Sequence, residues 1–431
     1  MNESPALSSR RQFIAKTGLA AASATLATGP NLLLGQAKGA NDRVRVGVMA
    51  LGRGMGHVKA YLDVPNCEVA YVCDVDEKRL ASGVTYMNGK QETPPQAVGD
   101  FRRILDDPEI DAISIATPNF WHAPAAILAC KAGKHVYVEK PGSYNPHESR
   151  RMVQVAEETG RQVQMGTQRR SYPGVIEGIQ KLREGVIGRT LHARCWYSNT
   201  RPSIGIGEVT APPPELDWTL WQGPLPERPY KNNLVHYNWH WHWFYGGGEL
   251  ANNGIHSLDI ARWAMNVDHP ERVTCAGGRY HFQDDQETPD TATSFYEFGD
   301  LGAISWETTS CHRRKPEELS FVRVYGEGGM MDFNGSAYTI YDLDGKEIGK
   351  NTEKPSDVPH FTNFANAIRA GEKLNQPIAN GQISTMLCHL GNIAYRTNGA
   401  VKVDPKTGDL VDHPEGQKLW RREAYREGWE I

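Results

Sequence analysis

Three stretches of the chain combine residue types that can do chemistry. The first is a glycine-rich turn, Ala50-Leu51-Gly52-Arg53-Gly54-Met55-Gly56-His57, which follows a β-branched apolar run and opens a helix-like segment. Glycines at such a turn let the backbone approach a pyrophosphate, and the free amides of the helix start can bind it. Asp74 ends the next strand-like run, where an acid can hold ribose hydroxyls. A carboxylate there repels a 2′-phosphate, so the pattern favours NAD over NADP, with Arg53 and Arg79 keeping the second option open. The strict G-x-G-x-x-G spacing is not met, because Ala50 stands at the first glycine. Gly52, Arg53, Gly54, Met55 and Asp74 are the dinucleotide candidates from this stretch.

The second is the pair Asn252 and His256, four apart on a helix-like segment and so on one face. The imidazole can carry a proton or orient a hydroxyl. The amide can hydrogen-bond a sugar hydroxyl but accepts no proton at neutral pH. The third is His236-Tyr237-Asn238-Trp239-His240-Trp241-His242-Trp243-Phe244-Tyr245, followed by three glycines. Flat aromatic faces beside polar edges suit a sugar ring, and Tyr237, Trp239 and His240 are the candidates for it. The same residues also fit an aromatic core cluster at a domain seam. His240 and His242 alternate as on a strand, but no nearby acid or cysteine completes a metal-binding set, so no metal is assigned.

The elements that must position these groups alternate from Asn41 onward. Strand-like runs at Arg43–Ala50, Cys67–Cys73, Ala112–Ala116, His135–Val138 and Gln162–Met165 are separated by helical segments at Val58–Asp63, Phe101–Leu105, Pro124–Ala132 and Pro146–Thr159, with a polar loop around Pro94-Pro95. That alternation implies a parallel sheet covered on both faces. Further on, strand-like runs at Val273–Phe282, Thr291–Phe298, Ala303–Thr309 and Ser320–Tyr325 point to a second, large sheet, with helices at Phe361–Ala370 and Gly381–Arg396. The proline-rich stretch from Thr200 to Tyr230 has little periodicity. Loops of that length are usually functional or oligomer-forming.

With 431 residues the chain is long enough for two or three domains. A net charge of −4 carries no basic excess of the kind nucleic-acid binding needs. The seven cysteines are not spaced as metal knuckles or redox pairs and read as buried thiols. Residues 1–40 read as an export signal rather than fold. Ser9-Arg10-Arg11-Gln12-Phe13, with Lys16, precedes an alanine-rich run from Gly18 to Ala27 and then Leu32-Leu33-Leu34. This resembles a twin-arginine signal, with Lys16 one place later than usual, and implies a periplasmic or otherwise exported protein. The apolar run is too short for a stable transmembrane helix, so no stable membrane insertion is expected.

Between these features lie Ala116-Thr117-Pro118-Asn119-Phe120-Trp121-His122, then Gly133-Lys134-His135-Val136-Tyr137-Val138-Glu139-Lys140-Pro141, then Gly166-Thr167-Gln168-Arg169-Arg170-Ser171, and finally Gly254-Ile255-His256-Ser257-Leu258-Asp259. Together these segments resemble the Gfo/Idh/MocA oxidoreductases, which include glucose–fructose oxidoreductase and inositol dehydrogenases, closely over residues 43–270 and loosely beyond. The resemblance implies an α/β chain: a dinucleotide-binding Rossmann domain, here 41–166, followed by an α/β substrate and oligomerisation domain, 167–431, built on one large, mostly antiparallel open sheet. It implies Lys140 as the group sharing the hydroxyl proton when hydride leaves a secondary alcohol, a task for a lysine whose pKa burial has lowered. Glu139 and Pro141 then fix the strand end, Pro118 and Asn119 shape the nicotinamide pocket with Trp121 and His122 close by, and Thr117 and Gln168 join the cofactor set. Arg169 is a candidate contact for an anionic sugar. In this family the position four before the histidine is usually Asp. Asn252 occupies it here, which breaks a full Lys–Asp–His relay and leaves His256 as the second acid/base or orienting group. A homodimer or homotetramer through the second sheet is the family-based expectation.

Three functions fit these residues. One is an NAD(P)-dependent oxidoreductase acting on a secondary hydroxyl of a sugar or sugar derivative. The second is a redox-neutral, NAD-dependent glycoside hydrolase, in which transient oxidation acidifies a neighbouring C–H, the glycosidic group is eliminated, water adds and hydride returns. The third is a sugar-binding protein without catalysis, which Asn252 allows and the intact Glu139-Lys140-Pro141 opposes. Export favours a retained cofactor that is regenerated within the reaction.

Overall fold

The computed structural model describes residues 43–312 and 319–431. The export-signal reading falls on residues 1–40 and lies outside the described residues. The first domain is a six-stranded, wholly parallel sheet in the order β3-β2-β1-β4-β5-β6, formed by β1 (Val44–Met49), β2 (Cys67–Cys73), β3 (Gln96–Val98), β4 (Ala112–Ile115), β5 (His135–Val138) and β6 (Val163–Met165). Its central strands are buried along almost their whole length, as runs such as Ala112-Ile113-Ser114-Ile115 require of a sheet covered on both faces. The chain order reverses between β1 and β4. A cleft opens at such a switch point, beyond the carboxyl ends of the strands. Ala50, Asp74, Ala116 and Glu139 each follow a strand directly and so stand at that rim.

The helices around this sheet are α1 (Gly54–Leu62), α2 (Glu77–Met87), α3 (Arg102–Asp106), α4 (Asn119–Lys131) and α5 (Pro146–Thr159). Two differ from the sequence reading. Residues 77–87, to which the sequence reading assigned no element, form α2, capped by the Asp76 carboxylate on the Arg79 amide (2.9 Å), and the polar loop around Pro94-Pro95 runs into the short edge strand β3. The helix expected from Pro124 begins at Asn119, with Pro124 inside it.

The second domain carries a ten-stranded sheet, ordered β14-β13-β12-β11-β7-β10-β9-β8-β15-β16. Its strands are β7 (Thr190–Ser198), β8 (Arg272–Gly278), β9 (Thr291–Glu297), β10 (Ala303–Thr309), β11 (Val322–Gly326), β12 (Gly329–Phe333), β13 (Tyr338–Tyr341), β14 (Glu347–Lys350), β15 (Ala400–Val403) and β16 (Leu410–Val411). Neighbours run antiparallel except β7 and β10, so the sheet is mixed but mostly antiparallel. The alternation in β9 and β10 buries Ala292, Ser294, Tyr296, Ile304 and Trp306 on one face. Two helices, Ile255–Met265 and Ile378–Arg396, cover that face. The expected fold class is thus the one found. Among the described residues no helix is long and apolar enough to cross a membrane.

Candidate functional site

The carboxyl ends of β1, β2, β4 and β5 form one wall of a cavity of about 480 Å³. The opposite wall comes from the second domain, through Leu220, Trp221, His236, Tyr237, Trp239 and His240, with Asn252 and His256 at one end. The glycine-rich turn supplies Gly52 and Arg53, and Ala50 holds a positive φ of 69° where the family pattern has glycine. Asp74 lines the cavity with both carboxylate oxygens engaged, by the Leu51 amide at 2.6 Å and the Asp76 amide at 3.0 Å. Burial raises its pKa against those two hydrogen bonds. Arg79 lines the cavity beside Gly52, and no hydrogen bond or ion pair of its guanidinium is found among the described residues.

Glu139 is a buried hub. Its Oε1 accepts from Arg53 Nε (2.8 Å), His57 Nε2 (3.1 Å) and Gln168 Nε2 (3.2 Å), while Oε2 accepts from the Lys140 amide (3.0 Å). Because the carboxylate only accepts, His57 carries its proton on Nε2 and receives the Ser114 hydroxyl at Nδ1, 2.9 Å away. Burial alone would raise the Glu139 carboxyl. Arg53, then His57 and Lys140, instead hold it well below the usual carboxylate range. Arg53 also reaches Asp357 at 3.1 Å, so the cavity rim is tied to the chain's C-terminal third.

Lys140 is held at Nζ by the main-chain oxygen of Asn252 (2.7 Å) and, at 3.4 Å, by its side-chain oxygen. Asn252 lies in a π-type turn, Leu250–Gly254, that leads into the helix Ile255–Met265. Wide turns of this kind break the i+4 ladder and recur at functional sites. Burial lowers the Lys140 pKa, with Glu139 opposing and Arg53 reinforcing. His256 is pushed well below its ordinary value, by burial first and then by Arg169 and Lys140. Its Nδ1 is buried without a partner among the described residues. His240 donates from Nδ1 to the Tyr237 carbonyl (2.6 Å) and stacks on Trp239 at 3.6 Å, so its Nε2 lone pair is left for the cavity. Burial brings its pKa down to about 3. Burial thus shifts all three nitrogen bases toward their neutral forms. Asn238–Trp241 is a 3-10 turn rather than the strand its alternation suggested.

Thr117, Pro118, Asn119, Trp121 and His122 all line the cavity. His122 lies between two carbonyls, Pro141 O at 2.6 Å and Thr117 O at 2.9 Å, and so ties the turn after β4 to the end of β5. Three sequence candidates are not brought to the cavity. Gly54 packs against Val48 and Ala116 at the start of α1, and Met55 joins the apolar cluster behind the turn. Arg169 turns away, donating to the Gly335 carbonyl (3.0 Å) with its guanidinium 4.6 Å from the Phe321 ring. Its neighbour Arg170 forms a buried pair with Asp259 (2.8 Å), which fixes the turn carrying Gln168 to the helix carrying His256. Sequence reasoning missed Phe101, Trp221 and His236 as lining groups. Of these only His236 carried a signal, its place at the head of the aromatic run.

The lining fits a dinucleotide. The glycine turn presents Ala50, Gly52 and Arg53 to the cavity just ahead of α1, and the Thr117 hydroxyl is buried in the wall with no partner among the described residues. Residues 44–167 match the model of the oxidoreductase family's NAD-binding Rossmann fold, and residues 203–431 match that of the same family's C-terminal alpha/beta domain. A glycosyl hydrolase family 109 protein of Shewanella pealeana is 29% identical over 208 residues, which cover 44% of this chain and 45% of that protein. The chain thus spans under half the length of the curated relatives it matches. Levoglucosan dehydrogenase in complex with NADH superposes with a TM-score of 0.66 at 20% identity, over 84% of this chain and 99% of that one. The WlbA dehydrogenase from Bordetella pertussis, in complex with NADH and UDP-GlcNAcA, does so with a TM-score of 0.64 at 18% identity, over 84% and 99%. At these identities the likeness is one of fold.

Proposed function

The chain belongs to the Gfo/Idh/MocA oxidoreductase family, whose first domain is an NAD-binding Rossmann fold, and from that premise we propose that it oxidises and reduces a secondary hydroxyl of a sugar or sugar derivative with a retained, internally recycled NAD. The observation that carries this reading is the Lys140 ammonium, drawn into the cavity by the Asn252 carbonyl and depressed in pKa by burial. When bound, NAD supplies the two-electron acceptor and donor. Lys140, as the free amine, takes the hydroxyl proton as the carbon gives up its hydrogen, and returns it in the reverse direction. The neutral His256 and His240 accept hydrogen bonds from neighbouring hydroxyls, and the Asn252 amide orients one more. Asp74, Thr117, Pro118, Asn119 and Gln168 hold the dinucleotide. The aromatic rings of Trp239 and Tyr237 give a sugar its apolar platform.

Export by a twin-arginine signal belongs to the same proposal. A folded protein leaving the cytoplasm keeps only the cofactor it already holds, which makes internal recycling a necessity. Assembly into a dimer or tetramer through the outer face of the second sheet also belongs to it, supported by Phe295 (37% exposed) and Leu301 (62% exposed) near that surface.

A second reading is a redox-neutral glycosidase, supported by the name of the curated relatives matched over less than half of the chain and by three nitrogen bases lining one cavity, each shifted by burial toward its neutral form. Eliminating a glycosidic group needs a base for the C–H and an acid for the leaving oxygen, in addition to Lys140. The test is to purify the full protein without added cofactor, denature a portion and identify the released dinucleotide. Free sugars and aryl glycosides are then added to native protein while the reduced-nicotinamide absorbance is followed. Reduction by a free sugar, reversed by a second carbonyl compound, is the expected result. Aglycone release with no lasting absorbance change would replace it with the glycosidase. No dinucleotide retained, and none bound when supplied, would overturn both.

A further inference from the structure

Residues 214–241 leave the second domain, cross the mouth of the dinucleotide cleft and return. One edge of this strap is fixed to the end of β2. Leu216 makes an antiparallel bridge with Asp76, the Asp217 amide donates to the Val75 carbonyl (3.0 Å) and the Glu77 amide to the Glu215 carbonyl (3.0 Å). The Lys78 ammonium pairs with the Glu215 carboxylate, and His236 Nε2 sits 3.1 Å from the Asp76 carboxylate. Its middle is fixed to α4, where the Trp121 indole donates to the Trp221 carbonyl (2.9 Å). The strap is thus the far wall of the dinucleotide cavity.

The C-terminal segment Trp420–Ile431 plays no part in the chemistry above, yet it touches both the strap and α4. Its root is bolted to the first domain. Arg422 forms a buried pair with Glu148 (2.6 Å), Tyr425 donates to the same carboxylate oxygen (3.0 Å), and Arg422 Nη2 donates to the Phe120 carbonyl at 3.2 Å. Pro124 has no amide hydrogen for that carbonyl, so the tail fills a gap the helix sequence leaves open. Its middle holds the strap. Arg426 donates through its amide to the Pro224 carbonyl (3.0 Å), through Nε to Leu225 O (3.1 Å) and through Nη1 to Thr219 O (3.1 Å). Its tip backs the cavity. Trp429 stands edge-on to Trp121 at 5.0 Å and stacked with Phe101 at 6.4 Å, and both of those rings line the cavity from the other side.

We propose that Trp420–Ile431 is a latch that holds the strap closed over bound NAD, with Arg426 and Trp429 as its positioning residues. The strap cannot lift from the cleft without breaking the three bonds from Arg426. The latch rests on the retained-cofactor reading above and supplies its physical basis.

The test uses the full-length protein loaded with radiolabelled NAD and diluted into a large excess of unlabelled NAD, with release followed by filtration. The wild-type protein is expected to release label over hours. Arg426→Ala and Trp429→Ala should each release it about tenfold faster or more, as expected for losing hydrogen bonds from a charged donor or a packed ring. Arg426→Lys, which keeps the charge but replaces the forked guanidinium by one ammonium nitrogen, should fall between. Rapid exchange by the wild type would defeat the retained-cofactor reading itself. Slow exchange by the wild type and by both alanine variants alike would overturn the latch and leave that reading standing. Hydrogen exchange on the wild-type protein serves if a variant fails to fold. The amides of Asp217 and Arg426 are expected to be protected together when NAD is added, and protection of Asp217 without Arg426 would overturn the latch.

Discussion

The ammonium nitrogen of Lys140 lies 2.7 Å from the main-chain carbonyl oxygen of Asn252 and 3.4 Å from its side-chain oxygen. Both partners are neutral, so nothing at position 252 offsets the effect of burial, which lowers the lysine's pKa. Lys140 acts as a base above that pKa, and the oxidative rate should rise with pH as the free amine appears. Asn252→Asp places a carboxylate in the same spot and favours the ammonium. The expected outcome is a pH–rate profile whose rising limb moves to higher pH by about one unit or more, with NAD affinity unchanged. Lys140→Met should abolish turnover while leaving NAD bound. A profile unmoved by Asn252→Asp would mean that Lys140 does not set the limb.

Glu139 joins four donors in a buried site, and its carboxyl is held well below the ordinary range once the Arg53, His57 and Lys140 contributions outweigh burial. A folded-state pKa below the unfolded value means stability that is present above the unfolded pKa and fades as pH falls toward the folded one. Among the described residues, Glu139→Gln leaves Arg53 with only Asp357 as an anionic partner. The variant should lose about 3 kcal/mol at neutral pH, read by denaturant titration. The gap to the wild type should narrow below about pH 4. An equal gap at pH 7 and pH 3 would show that the loss comes from packing rather than charge.

Much of this site was legible because its chemistry sits at strand ends. Apolar runs mark β2, β4 and β5, so Asp74, Thr117 and Glu139 can be placed at one rim from the sequence alone. What was not legible depends on partners far along the chain. Nothing local makes Pro124 an interior helix residue. It is tolerated because Arg422, 302 positions after Phe120, donates to the carbonyl that proline cannot serve. The alternating run around His240 reads as a strand, but the His240 imidazole bonds the Tyr237 carbonyl three residues back, and the chain coils into a 3-10 turn. Arg169 reads as a substrate contact by its place in the motif, yet the Gly335 carbonyl and the Phe321 ring take its guanidinium.

Asp74 should decide cofactor choice. Its oxygens are aligned by the Leu51 and Asp76 amides, and Arg79 stands beside Gly52 across the same end of the cavity. Replacing the carboxylate by serine removes both the ribose acceptor and the repulsion of a 2′-phosphate. Asp74→Ser is expected to weaken NAD by roughly tenfold and NADP by less, so their ratio of affinities shifts toward NADP. Fluorescence titration of the protein with each cofactor measures this. Equal weakening of both would place the ribose elsewhere.

Gly223 is the residue that lets the strap sit down on α4. It ends the short strap helix Trp218–Gln222 with φ 45°, a conformation that costs an L-residue energy. A methyl group added there would lie 1.8 Å from the Trp121 ring, far inside contact distance. The ring cannot easily yield, because its indole is bonded to the Trp221 carbonyl and Trp429 stands behind it. Gly223→Ala should therefore cost about 2–3 kcal/mol in unfolding free energy. It should also weaken NAD binding, since Trp121 lines the cavity. Trp121→Leu in the same background makes room for the methyl and should recover part of the stability without restoring the cofactor site. If Gly223→Ala proved as stable as the wild type and bound NAD equally well, the close contact between strap and helix would not be what shapes this wall.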